Sequence, residues 1–486
     1  MISCVAARTA APLELGTMPI GEKVRQRIYM LNPTVFREYD IRGVADRDLP
    51  TDGVELLGRA IGTFMRRKAP DAAAPRMIAG ADCRLSSPRL KAAMIGGLRQ
   101  AGCAVSDIGT VPTPVTYHSV LQSGAAGGVM ITGSHNPADY NGFKIMLGES
   151  TIHGEDIQEL RHILEAGNFT TGEGSVAAVD AVTPYVNDIA ARFDFPRRVK
   201  VVFDGGNGTA GPVLKRILSA LNVDPVELFF EMDGHFPNHH PDPTVPKYLA
   251  HLQAAVRETS AELGVAFDGD SDRIGAVDEH GNVVYGDMLM LIFAREILTR
   301  HPGATFISEV KSSQVLYDKI AELGGRPVMW KTGHSLIKAK MKEEHAALAG
   351  EMSGHMFFAD GYYGYDDALY AALRLVDIVS RSGRPLSAQL DGIPTLHATP
   401  EIRVDSDDAT KFAIVAEAAR MLAERDYEVN ETDGVRVRFQ NGWGLLRASN
   451  TQPVLVMRFE AGTAEDLAEY QAIMDDLLAE ATVRVG

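Results

Sequence analysis

From about residue 33 to 394, short apolar runs alternate with longer amphipathic stretches, the pattern of strand and crossover helix in an α/β fold. Several runs end alike. Met77-Ile-Ala-Gly-Ala-Asp82, Val201-Val-Phe-Asp204 and Val265-Ala-Phe-Asp268 each close an apolar strand on a carboxylate, at the end where parallel sheets place their ligand groups. Residues 1–32 carry no sustained periodicity and read as a flexible N-terminal arm.

Turn-rich stretches near 172–179, at His280-Gly281 and at Gly392-Ile-Pro394 separate the periodic segments. Beyond Pro394 the style changes: a helical stretch over 410–425, strand-like runs at 435–439, 444–448 and 454–460, then a helix from about 463. The predicted architecture is three mixed-sheet α/β domains, at 33–178, 179–281 and 282–394, around a central cleft, followed by a C-terminal α+β domain at 395–486. A length of 486 residues agrees with several cores rather than one.

Composition narrows the class. A 45% apolar content fills such cores, and a formal net charge of −16 argues against a nucleic-acid partner while leaving room for a local basic cleft. Cys4, Cys83 and Cys103 have neither disulfide-framework nor zinc spacing. Arg8, Pro12, Glu14 and Pro19 interrupt any apolar leader, and no run approaches the ~20 apolar residues of a membrane span. A cytoplasmic protein with small-molecule partners, and no protein partner implied, is expected.

Four distant segments carry chemistry. In Thr132-Gly-Ser-His-Asn-Pro137, glycine before Ser134 allows a tight turn and Pro137 stops a helix, so the hydroxyl is presented on a turn; alone, this equally describes an ST-turn or helix cap. Asp268, Asp270 and Asp272 sit at i, i+2 and i+4 with Gly269 allowing the chain to curl, a hard-oxygen set suited to Mg²⁺. An EF-hand reading, with Glu279 at its twelfth position, fails because Arg273 stands where that loop needs glycine and an apolar strand precedes it. Glu351, Ser353 and His355 alternate with Met352 and Gly354, so an extended segment would project all three on one face toward a polyol. Arg447-Ala-Ser449-Asn450-Thr451 offers a guanidinium fork, hydroxyls and turn amides to an anion.

Together these segments resemble the α-D-phosphohexomutases. Residues 132–145, Thr-Gly-Ser-His-Asn-Pro-Ala-Asp-Tyr-Asn-Gly-Phe-Lys-Ile, match that family's active-serine loop, and Phe36-Arg-Glu-Tyr-Asp-Ile-Arg-Gly43 and Gly80-Ala-Asp-Cys-Arg-Leu-Ser86 extend the match, which runs from about 36 to 458. The resemblance implies that Ser134 carries a phosphoryl group, with Lys144 and His355 as further catalytic residues. It implies one Mg²⁺ per chain on Ser134, Asp268, Asp270 and Asp272, and a hexose 1,6-bisphosphate as intermediate and activator. It assigns Tyr39, Arg42, Arg273, Lys311, His334, Glu351, Ser353, His355, Arg447, Ser449, Asn450 and Thr451 to hexose-phosphate binding. The Gly350-Glu-Met-Ser-Gly-His355 form resembles the phosphomannomutase/phosphoglucomutase branch more than the phosphoglucosamine branch.

One rival comes from another class. Gly206-Asn-Gly-Thr-Ala-Gly211 follows the strand at 201–203 and satisfies G-x-G-x-x-G, with Glu227 and Glu231 some twenty residues on, as in a dinucleotide-binding dehydrogenase. That reading leaves the serine, aspartate and arginine segments unused. A non-catalytic sugar-phosphate binder and a phosphatase are the remaining alternatives.

Overall fold

A computed structural model describes residues 31–68, 74–450 and 452–486; residues 1–30 of the expected arm, and Thr451, lie outside the described residues. Among the described residues the chain builds four sheets. The first is mixed: strands Arg76–Ala81, Ala104–Thr110, Gly127–Ile131 and Ser175–Ala178 run parallel, with Tyr140–Leu147 and Ile41–Val44 added antiparallel at one side. The second has Val199–Asp204, Val223–Leu228 and Leu263–Phe267 parallel and Ile274–Asp278 and Val283–Val284 antiparallel. The third repeats the theme with Thr305–Glu309, Arg326–Trp330 and Leu348–Gly350 parallel and Met356–Phe358 antiparallel.

The fourth is antiparallel throughout, built on Val435–Phe439, Gly442–Ala448 and Val454–Ala461 and backed by helices Lys411–Glu424 and Ala464–Val485. The expected helix, three strands and helix are present in that order, and the short strands His397–Ala398, Ile402–Asp405 and Glu428–Asn430, which the sequence did not predict, add to the sheet. One large apolar cluster runs through the second and third sheets, where helix Ala368–Ser382 is buried along most of its length against strands Val199–Asp204, Ile274–Asp278 and Met356–Phe358. A helix buried on nearly every side cannot be exposed without losing about 25 cal/mol per Å² of apolar area, which welds those two sheets together. The first and fourth sheets have apolar clusters of their own.

Register decides what the strand ends bring together. Ala81 pairs with Ile131, so Asp82 follows one strand beside Thr132 after the other. Ala266 pairs with Asp204, so Asp268 emerges next to that carboxylate's strand. Ser308 pairs with Gly350, placing Glu309 beside Glu351. In each parallel pair the side-chain chemistry sits at the carboxyl end of the strands.

Candidate active site

Ser134 is buried, and its hydroxyl donates to Asp268 Oδ2 at 2.7 Å and lies 3.0 Å from His135 Nδ1. The backbone that holds it is unusual. Ser134 itself takes the left-handed conformation, with φ of 49°. The glycine expected to make the turn instead makes room for a side chain, since a Cβ at Gly133 would stand 2.6 Å from Arg84 Cζ. The Arg84 guanidinium lies against the loop, its Nη2 donating to the carbonyls of Ser134 at 2.7 Å and Asn136 at 2.6 Å and its Nη1 to Tyr140 O at 3.0 Å. Asp82 completes the frame, pairing with Arg84 Nε at 3.2 Å and accepting from Thr132 Oγ1 at 2.8 Å and Gly133 N at 3.1 Å. Neither Asp82 nor Arg84 was given a role by the sequence; their signals were a strand ending in a carboxylate and their place in the matching segment 80–86.

Asp268, Asp270 and Asp272 are fully buried, with one oxygen of each within 4.8 Å of the others. Here too the left-handed residue is a serine, Ser271 at φ 67°, rather than Gly269. Gly269 is small because the serine loop presses on it: a Cβ there would be 2.7 Å from Ser134 O. Thr113 Oγ1 donates to Asp270 Oδ2 at 2.6 Å, and Asp268 Oδ1 accepts from the backbone of Asp272 and Arg273 at 3.1 and 3.2 Å. Lys144 Nζ donates to Asp270 Oδ2 at 2.8 Å and to Asp272 Oδ2. Lys144 leaves part of this carboxylate cluster unpartnered. Asp270 Oδ1 is buried without a hydrogen-bond partner among the described residues, and burial together with Asp270 and Asp272 drives Asp268 well above the ordinary carboxylate range. This donor set fits a hard divalent cation.

The glycine-rich turn of the second sheet supports that loop. Thr209 N and Oγ1 donate to Gly269 O at 3.1 and 3.2 Å, and a Cβ at Gly208 would meet Gly269 O at 2.7 Å. The space a pyrophosphate needs in a dinucleotide fold is filled by the aspartate loop, so the fingerprint serves packing. Glu279, the twelfth residue of the discarded EF-hand register, is turned to Ser387 instead.

From the aspartates a chain of polar contacts leads to the third and fourth sheets. His355 Nε2 lies 3.3 Å from both Asp272 Oδ1 and Arg273 Nε, while its Nδ1 is 2.7 Å from Glu351 Oε2. Burial opposes the charge on His355, but Asp272 outweighs it and lifts the imidazole to about 9. Burial likewise opposes Glu351, yet the bond from His355 holds it near 2, about where an ion-paired carboxylate sits. Burial also opposes the Lys144 ammonium, and Asp270 and Asp272 keep it above the usual lysine value. The segment that carries Glu351, Ser353 and His355 is a turn between the strands Leu348–Gly350 and Met356–Phe358, not an extended run. The three side chains still converge, because Gly354 at φ 85° folds the turn back and leaves Ser353 Oγ 3.4 Å from His355 Nδ1.

Beyond Glu351, whose Oε1 accepts from Gly333 N at 2.9 Å, the path reaches the loop at Thr332 and His334. His334 is buried 5.6 Å from His355, ring to ring, and burial and Lys338 hold it neutral, well below its usual pKa. Lys311 Nζ stands between Glu309 at 3.5 Å and Glu401 at 3.2 Å. Tyr39 OH donates to Thr332 O at 2.8 Å and receives Asn450 Nδ2 at 2.7 Å, joining the first, third and fourth sheets. Arg42 pairs with Asp40 and bears electrostatically on His135. Arg447 is buried near the end of strand Gly442–Ala448 against Asp433, and in the turn after it Ser449 Oγ accepts from Gln452 N at 3.2 Å. Glu309, Thr113 and Asp433 are further members that the sequence did not single out.

Comparison with known proteins agrees with this architecture. The phosphoglucomutase/phosphomannomutase family matches part by part: alpha/beta/alpha domain I over residues 33–171, domain II over 183–281, domain III over 285–396 and the C-terminal domain over 401–477. A phosphomannomutase/phosphoglucomutase of Pseudomonas syringae pv. tomato is 46% identical over 444 residues, covering 91% of this chain and 95% of its own. A phosphoglucomutase of Neisseria gonorrhoeae is 43% identical over 441 residues, covering 90% and 95%. The crystal structure of a phosphoglucomutase/phosphomannomutase family protein from Burkholderia thailandensis superposes with a TM-score of 0.87 at 42% identity, covering 93% of this chain and 98% of that one. With all four parts present in order and such identity along nearly the whole chain, this protein belongs to the phosphoglucomutase/phosphomannomutase family of the α-D-phosphohexomutases.

Proposed function

We propose that the chain moves a phosphoryl group between C1 and C6 of a hexose monophosphate, glucose or mannose, through a phosphorylated Ser134 and a hexose 1,6-bisphosphate. The observation that carries this reading is the Ser134 hydroxyl 2.7 Å from Asp268, at one end of a polar path that ends on Arg447. In the first half-reaction the P–Oγ bond of phosphoserine breaks, a bond forms to the free sugar hydroxyl, and that hydroxyl's proton ends on Ser134 Oγ. After the bisphosphate turns over, the second half-reaction runs in reverse with the other phosphate.

A Mg²⁺ held by Asp268, Asp270, Asp272 and Ser134 would supply charge neutralisation for the transferring oxygens. Lys144, kept charged by its neighbours, acts as a fixed cation beside the same oxygens rather than as a proton carrier. His355, protonated between Asp272 and Glu351, donates to the sugar or its phosphate. Glu351 and Ser353 read ring hydroxyls, and Arg447, Ser449, Asn450 and Thr451, with Arg42, Arg273, Lys311, Tyr39 and His334 nearby, grip the phosphate that is not reacting. A buried serine also disfavours hydrolysis, because water must be kept from the phosphoserine. Among the described residues no helix is long and apolar enough to cross a membrane, and Cys83 and Cys103 are free thiols, in keeping with a cytoplasmic site of action.

The test is mass spectrometry with peptide mapping after exposure to glucose 1,6-bisphosphate and Mg²⁺, alongside turnover of glucose and mannose 1-phosphates. Phosphate on the Ser134 peptide and 6-phosphate product without free phosphate are expected. Release of inorganic phosphate instead would make the protein a phosphatase.

A further inference from the structure

The strand that carries Arg447 and the loop that carries Thr332 belong to different sheets, yet one carboxylate holds both. Asp433 Oδ2 accepts from Arg447 Nε at 3.0 Å and from the Thr332 backbone N–H at 3.0 Å, while Asp433 Oδ1 takes Arg447 Nη2 at 3.4 Å. Thr332 is pinned through its other polar groups as well. Its Oγ1 donates to Glu309 Oε2 at 2.6 Å and its carbonyl accepts from Tyr39 OH at 2.8 Å. Arg447 is 5% exposed, and burial works against its charge while Asp433 sustains it.

A guanidinium is a planar fork, so an acceptor on its Nε/Nη2 edge fixes the direction in which the remaining edge points. Asp433 sits on that edge. The same oxygen fixes the distance from the fork to the Thr332-Gly-His334 loop. We propose that Asp433 is a positioning residue: it aims Arg447 at the non-reacting phosphate and sets the span between that phosphate and the groups that read the sugar ring. This rests on the proposed reading of the cleft as a hexose-phosphate site. Without Asp433 the long arginine side chain regains its rotamers, and each substrate molecule must order it again on binding.

Asp433→Asn and Asp433→Ala are compared with wild type, Arg447→Ala and the double variant Asp433→Ala/Arg447→Ala, by calorimetric binding of glucose 6-phosphate and by steady-state kinetics. Both single Asp433 variants are expected to raise Kd and KM about tenfold, the equivalent of one lost charge-assisted contact, with kcat within about threefold of wild type. In the Arg447→Ala background the Asp433 change adds less than about threefold, because Asp433 works through Arg447. Binding within about twofold of wild type, or fully additive losses in the double variant, overturns the inference. Wild-type turnover with no Asp433 effect rejects this inference alone. Wild-type binding of glucose 6-phosphate without turnover rejects the mutase reading and leaves the binding comparison to decide on Asp433.

Discussion

Ser134 and Asp268 stand 134 positions apart in the chain and on different sheets, yet the serine hydroxyl donates to the aspartate at 2.7 Å. A phosphoryl group on that oxygen brings about two negative charges, and Lys144, bonded to Asp270 and Asp272 of the same aspartate loop, is one fixed cation of the site. Ser134→Ala is therefore expected to leave the fold intact, to accept no phosphate from glucose 1,6-bisphosphate by intact-protein mass spectrometry, and to lose about a thousandfold or more in kcat/KM. A Ser134→Ala protein that still turns over at the wild-type rate would remove the serine from the mechanism.

Arg84 donates to the carbonyls of Ser134, Asn136, Pro137 and Tyr140 in the serine loop, with Asp82 as its counter-ion. Arg84→Met keeps much of the volume but strands Asp82 as an unpaired buried charge, a defect costing about 3–5 kcal/mol. Thermal unfolding should reveal that loss, and phosphorylation of Ser134 should slow at least about tenfold as the loop drifts from its aspartates. Gly133→Ala, whose Cβ would meet Arg84 at 2.6 Å, is expected to reproduce both effects without touching a charge.

Three carboxylates are buried together in the aspartate loop, and Asp270 Oδ1 has no hydrogen-bond partner among the described residues, so a bound cation should stabilise the fold. Mg²⁺ at about a hundred times its Kd should stabilise the protein by roughly 2.7 kcal/mol, seen as a higher melting temperature than in chelator. Asp270→Asn should abolish that difference, together with activity. Identical melting curves with Mg²⁺ and with chelator would mean that no ion binds there.

Asp367 gives a pH prediction from a residue with no role assigned in the reaction. It is buried under the hydroxyls of Tyr185 and Tyr362 and caps the helix Ala368–Ser382, and burial raises its carboxyl to about 6. An unfolded aspartate titrates near 3.9, so between about pH 4 and 6 the folded state holds the extra proton. Stability contributed by this group is full below that window and falls by roughly 3 kcal/mol as pH rises through it. Asp367→Asn retains the cap and should flatten this slope, measured as the variant-minus-wild-type difference in melting temperature from pH 4 to 7. A parallel pair of pH profiles would show that Asp367 is not the group responsible.

Much of this was legible in the sequence, because it depends on short-range pattern. Apolar runs that end in Asp82, Asp204 and Asp268 announce parallel strands with polar ends, and the order of helices and strands after Pro394 announces a different kind of sheet. The kinds of side chain at the four segments announce phosphoryl chemistry. The roles of the glycines were not legible. Gly133 and Gly269 looked like hinges of their own turns, whereas the bends fall on Ser134 and Ser271 and the glycines make room for Arg84 and for the serine loop.

What the chain order alone determined was the supply of groups: a serine, three aspartates two apart, a Glu-Ser-His set and an arginine turn. Only the tertiary structure decided their partners. Strand register set Asp82 beside Thr132 and Glu309 beside Glu351, and packing between sheets brought Lys144 to Asp270 and Asp433 to Thr332. The reason is physical: a residue's type and its neighbours along the chain fix what bonds it can make, but a buried carboxylate takes whichever donor the folded backbone carries within about 3 Å of it.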